Sequence, residues 1–110
     1  AYLPPDEVER LLPPGELPRF TANTICDKQE FLEHLRTIGQ QGYAIDDEEY
    51  IEGVVGVAAP VFDNSGRAIA ALGVVAPSGR MRGEHLEETI CLTKRIGQAV
   101  SEALGSPVGS

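Results

Sequence analysis

The sequence predicts an α+β domain in which a mostly antiparallel sheet with a central hairpin is flanked by helices. Two apolar runs, Val54 to Phe62 and Arg67 to Ala76, are separated by Asp63-Asn64-Ser65-Gly66. That turn ends in the residue type that takes positive φ freely, so the runs read as a β-hairpin. Segments of helical periodicity lie on either side, Asp27 to Gln41 before the hairpin and Glu84 to about Leu104 after it. The 110 residues, 42% of them hydrophobic, suffice for one core and leave no room for a second module.

Pro5-Asp6 to Leu12 reads as a short helix, with proline in its first turn, acids near its positive end and Pro13-Pro14-Gly15 stopping it. A loop follows, and Phe20 to Ile25 is a candidate strand. In the next helix Asp27 and Glu30 resemble a capping box, Phe31, Leu32, Leu35 and Ile38 form the apolar face, and Gly42 supplies the stop. Ala44 to Tyr50 is a further candidate strand. The last helix, led in by Arg80-Met81-Arg82-Gly83, carries Leu86, Ile90, Ile96, Val100 and Leu104, with Cys91 and Ala103, as a stripe expected to face the core or an oligomer seam.

Neither hairpin run alternates cleanly between polar and apolar, so both are expected to be interior strands, covered on both faces or lining a cavity with one. A four-residue loop pairs Phe62 with Arg67, and the same register sets Val54 opposite Val75, Gly56 opposite Gly73 and Ala58 opposite Ala71. Two facing glycines leave a depression that admits a ligand or the close approach of a helix. A three-residue loop ending in Gly66 shifts the register by one and breaks that pairing.

Asp46, Asp47, Glu48, Glu49 and Glu52 place five carboxylates within seven residues. Such a run serves as a solvated loop or a charge-protected edge. Alternatively, one carboxylate at a pocket rim accepts a hydrogen bond from a ligand hydroxyl or a protonated carboxyl group. The spaced ligands and central glycine of a calcium loop are absent, so no metal is expected. Cys26 and Cys91 lack CxxC spacing and read as reduced, partly buried thiols, and His34 and His85 as exposed helical residues. Arg80 and Arg82 are either solvated or placed to neutralise an acidic ligand.

Several motifs together carry a family resemblance. They are Leu17-Pro18-Arg19-Phe20-Thr21 to Thr24-Ile25, Gly42-Tyr43-Ala44, Asp47-Glu48-Glu49, Gly53-Val54, Ala58-Ala59-Pro60-Val61 and the closing Ala103-Leu104-Gly105. With this pattern the chain resembles the effector-binding domain of the isocitrate lyase regulator (IclR) family of bacterial transcription regulators over nearly its whole length. The resemblance implies a GAF/profilin-like fold that holds a small organic or aromatic acid, and homodimers or tetramers. Carried over position by position, it implies effector contacts at Asp46, Val54, Gly56, Gly73 and Val75. Where some relatives have thiols or hydroxyls, this chain has Gly56, Gly73 and Val75, which favours a bulkier, less polar effector. Relative to the family pattern, the DNA-reading winged helix-turn-helix and the first strands of the sensor domain are missing before Ala1. The chain is therefore expected to be incomplete on that side, with Gly109-Ser110 a cloning remnant.

The net charge of −8 argues against this chain gripping phosphates itself. DNA contact is expected only through the missing module. No apolar run spans a membrane and no signal pattern is visible, so the chain reads as cytoplasmic, without cofactor. Three functions compete: the sensor of a transcription regulator, a free-standing GAF-like ligand-binding module, and an enzyme using the Asp46 to Glu52 carboxylates. The last lacks a nucleophile, a phosphate loop and a metal set, so no catalysis is expected.

Overall fold

The computed structural model describes residues 1–107; the predicted remnant Gly109-Ser110 lies outside the described residues. The elements run α1 (Pro5–Leu11), α2 (Lys28–Gln41), β1 (Ala44–Asp47), β2 (Val54–Phe62), β3 (Ala68–Pro77) and α3 (Gly83–Ala103). The three strands form one antiparallel sheet in the order β1-β2-β3. The molecule measures 39 × 37 × 17 Å, a slab little thicker than one sheet with one layer of helix on it.

The ends of α2 follow the expected capping chemistry. Asp27 accepts the Glu30 amide at 3.0 Å, and Gly42 closes α2 at φ 84°. Residues 20–25 form turns and not the candidate strand. Thr24 Oγ1 accepts the amides of Phe20 and Thr21, at 3.1 and 2.9 Å, and so takes donors that a sheet ladder would need. The strand expected from Ala44 to Tyr50 stops at Asp47.

The hairpin forms, but its register differs from the expected one. Asp63 Oδ1 accepts the Ser65 and Arg67 amides and the Ser65 hydroxyl. These bonds, the Ser65 hydroxyl first among them, hold the Asp63 carboxyl below its ordinary range. The turn therefore takes in residues 63–67, and Phe62 pairs with Ala68 instead of Arg67. A bulge between Val61 and Phe62 then sets Val61 opposite Ala70. Together the longer turn and the bulge slip the register by two. Val54 lies opposite Pro77, Gly56 opposite Val75 and Ala58 opposite Gly73. An even slip leaves every residue on its expected face.

Val55, Val57, Ala59 and Val61 of β2 are buried on one face. α3 covers this face, and each valine taken fully from water there contributes about 1.5–3 kcal/mol. The covering side chains correct the sequence reading. Thr93, Gly97 and Ser101, at four-residue spacing, are the buried residues of α3, whereas Ile96, Val100 and Leu104 of the predicted stripe are exposed. Small residues win because the helix lies almost on the strand: a Cβ built on Gly97 would sit 3.1 Å from the Ala59 Cβ and 3.2 Å from the Pro60 carbonyl oxygen. The expectation that both hairpin strands are interior fails for β3. Among the described residues it is an edge strand, as is β1, with Ile69, Val74 and Val75 exposed. α2 buries none of its side chains fully. Cys26 is a half-buried free thiol and Cys91 an exposed one, so the expectation of partial burial fails for Cys91. Among the described residues no helix is long and apolar enough to cross a membrane.

The bulge frees the Phe62 amide from the ladder, and Ser101 Oγ accepts it at 2.9 Å while donating to the Gly97 carbonyl at 2.8 Å. Ser101→Ala should leave that buried N–H unpaired and cost about 1–3 kcal/mol. Urea denaturation would read this as a lower midpoint at unchanged slope; an unaltered midpoint would show that the bond is dispensable.

Candidate functional site

Away from α3, the sheet presents the five residues that sequence reasoning singled out. Asp46 of β1 pairs with Gly56 of β2, and Gly56 pairs with Val75 of β3, so the three form one row across the sheet. Gly73 lies in the next row, opposite Ala58, and Val54 in the row on the other side, opposite Pro77. Because side chains alternate between faces, all five share the face opposite the buried valines. The predicted facing of Gly56 and Gly73 does not occur: they are diagonal neighbours. Nor do they border a closed cavity. The adjoining apolar hollow, of about 230 Å³, is lined by Ile38, Tyr43, Ala44, Ala58, Pro60 and Ala71, one row along the sheet.

The row is an open floor. Val75 is 69% exposed, whereas Asp46 and Gly56 are half-buried. A Cβ added at Gly56 would meet Val75, Asp46 and the Val74 carbonyl at 3.7–3.8 Å, ordinary contact distances, so the glycine marks space for a neighbour and not a packing constraint. Chemically the floor offers one carboxylate that accepts hydrogen bonds, a bare stretch of backbone beside it, and apolar walls.

The acidic run beside the row is not a loose solvated loop. Four of its carboxylates, those of Asp46, Asp47, Glu48 and Glu49, are engaged with the chain's own donors. Asp46 Oδ1 accepts the Glu49 amide at 2.8 Å, Glu49 Oε2 the Asp47 amide at 3.0 Å, and Glu48 Oε1 the Gly53 amide at 2.7 Å. From outside, Thr21 donates its hydroxyl to the Glu48 carbonyl at 2.5 Å, Thr24 donates to the Glu49 carbonyl, and Asn23 Nδ2 to the Asp47 carbonyl at 2.9 Å. Arg82 reaches Asp47 Oδ1 at 2.9 Å and Glu48 Oε2 at 3.1 Å. It is thus neither simply solvated nor free to neutralise a ligand. Glu48 has φ 55°, left-handed for a residue with a side chain, at a cost of about 1–2 kcal/mol. Sequence reasoning missed Thr21, Asn23, Thr24 and the partners of Arg82. The available signal was a run of hydroxyl and amide side chains with no helix to cap. Among the described residues, no group of three or more His, Cys, Asp or Glu side chains is arranged to hold a metal.

Comparison with known proteins bears directly on this geometry. The sequence profile of the family described as bacterial transcriptional regulator IclR C-terminal matches residues 1–102. The HTH-type transcriptional regulator KdgR of Escherichia coli K12 is 35% identical over 100 residues, 91% of this chain and 38% of that protein. The crystal structure of the KdgR C-terminal domain superposes with a TM-score of 0.85 at 34% identity, covering 94% of this chain and 63% of that one. The inducer-binding domain of PobR from Acinetobacter, a double mutant in complex with 3-hydroxybenzoic acid, gives a TM-score of 0.77 at 30% identity over 94% of this chain and 58% of that one. The chain thus spans about a third of the length of the curated relatives it matches. The three helices and antiparallel sheet of the described residues are the GAF/profilin-like α+β architecture of these domains. The chain belongs to the family of C-terminal domains of IclR-type bacterial transcriptional regulators.

Proposed function

We propose that this chain is the effector-sensing part of a bacterial transcription regulator and that its effector lies on the row Asp46, Gly56 and Val75, flanked by Val54 and Gly73. The observation that carries this reading is the row itself, one hydrogen-bond acceptor beside bare backbone on the sheet face that α3 leaves uncovered. Asp46 would accept a hydrogen bond from an effector hydroxyl or protonated carboxyl, while Gly56 and Gly73 give a ring room to lie against the sheet. The complex of a relative with 3-hydroxybenzoic acid supports an aromatic or small organic acid as the ligand class. We read the carboxylates as structural and not catalytic, since Asp46, Glu48 and Glu49 are bonded to backbone amides. DNA binding is assigned to a separate domain, in keeping with the charge of −8, and the compartment to the cytoplasm. The exposed apolar residues of β3 and α3 fit burial against further strands of the sensor domain and, in a homodimer or tetramer, against another copy.

A thermal-shift screen of small carboxylic and aromatic acids against the complete sensor domain tests the reading. A ligand at a hundredfold its Kd stabilises the native state by about 2.7 kcal/mol, a shift of several degrees in a domain of this size. The shift should vanish in Asp46→Ala. Acids that leave the parent unmoved, or that stabilise both proteins equally, would overturn the assignment.

A further inference from the structure

We propose that Glu48 and Arg82 form an ionic strap that sets the position of Asp46 and ties the acidic loop to the start of α3. Glu48 is the non-glycine residue with positive φ among those described, and its polar atoms are all engaged. Its amide donates to the Val54 carbonyl at 3.2 Å, and its carbonyl accepts from Thr21 Oγ1 at 2.5 Å. Its two carboxylate oxygens accept from the Gly53 amide at 2.7 Å and from Arg82 at 3.1 Å. A strained conformation persists only while its surroundings hold it, so releasing one holder lets the segment relax. The holder from outside the loop and its threonine flank is Arg82, the residue immediately preceding α3. Its guanidinium spans Asp47 and Glu48 with two different nitrogens, a planar fork that a lysine ammonium does not reproduce.

Asp46 feels this strap through a short path. The amide that fixes its Oδ1 belongs to Glu49, the residue after the strained one. Relaxation of Glu48 therefore moves the donor that orients Asp46. Conversely, an effector that draws Asp46 out of its bond to Glu49 loosens the strap on α3, since coupling between two positions is reciprocal. The importance of the strap to effector binding rests on the assignment of Asp46 proposed above; its mechanical role does not.

Hydrogen exchange on the intact regulator separates the two. Arg82→Ala should accelerate exchange at the Glu49 and Gly53 amides about fivefold or more while leaving the β2 amides as in the parent, with Arg82→Lys in between. In the parent, raising NaCl from about 0.05 M to about 0.5 M should produce the same local acceleration, because the pairs are half-exposed and screened. That salt arm needs no variant to fold. Unchanged Glu49 and Gly53 exchange in both arms, or acceleration spread evenly over β2, overturns the strap. Calorimetry with 3-hydroxybenzoate as probe reads the coupling, with affinity in Arg82→Ala about fivefold or more below the parent. Equal affinity in the two overturns the coupling. A parent that does not bind this probe counts against the ligand class proposed above, and exchange alone then decides the strap.

Discussion

Gly97→Leu should abolish cooperative folding or lower the melting temperature by more than 10 °C. The Cβ alone would meet the Ala59 Cβ at 3.1 Å and the Pro60 carbonyl oxygen at 3.2 Å, and the latter is backbone of the central strand, which has nowhere to retreat. Overpacking by a methylene or two costs about 1–3 kcal/mol, and leucine adds an isopropyl group beyond that Cβ at the point of closest contact. Against this stands the better helix propensity of leucine over glycine, about 1 kcal/mol. The clash prevails. At roughly 4–8 °C per kcal/mol for a domain of this size, the net loss exceeds 10 °C. Ala99→Leu, on the exposed side of the same helix, provides the control and should shift the midpoint little. Circular dichroism melts of the two variants decide the matter, and a Gly97→Leu midpoint within a few degrees of the parent would show that the helix can ride outward.

That expectation rests on a face of α3 that hydrophobic periodicity did not single out. Hydrophobicity at helical spacing put Ile96, Val100 and Leu104 in a stripe facing the core or an oligomer seam, yet Thr93, Gly97 and Ser101 are the buried residues of α3, so the core alternative fails for those three. Periodicity reports how apolar a face is and not how near the opposing surface lies. When the partner is a strand with alanine at the crossing, volume decides, and small residues four apart become the signal. The exposed leucine and isoleucine face remains as apolar surface that a larger assembly would cover.

The hairpin shows the complementary case. Its existence, and the first strand's limits, were legible because apolar runs and turn residues are local properties. Its register was not, because the longer turn depends on the bonds of Asp63 and the bulge on a hydrogen bond to Ser101 from a helix that begins twenty-one residues after Phe62. Two shifts of one residue each restored the original parity, which is why the five candidate residues still share a face. The acidic loop was visible only as charge. What fixes it is distant in sequence: Thr21 and Thr24 on one side, Arg82 on the other.

Gly73→Leu should reduce effector affinity about a hundredfold or more, some 2.7 kcal/mol, while leaving the fold intact. The two halves of this expectation have separate causes. Structurally the position tolerates a side chain: a Cβ there would be 3.8 Å from the Val57 carbonyl oxygen, Gly73 is exposed, and its φ lies outside the left-handed region. Strand propensity then favours leucine over glycine, so stability should hold or rise slightly. Functionally, the new side chain rises from the row next to Gly56, diagonal to it, and occupies the space above bare backbone where a ring would lie. The clash falls on the ligand and not on the protein. Isothermal calorimetry with an acid identified by the thermal-shift screen, run on parent and variant of the complete sensor domain, measures the first half, and urea denaturation the second. Equal affinities would place the effector elsewhere than above Gly73, whereas a large loss of stability in the variant would mean that β3, exposed in this chain, is tightly covered on that face in the complete domain.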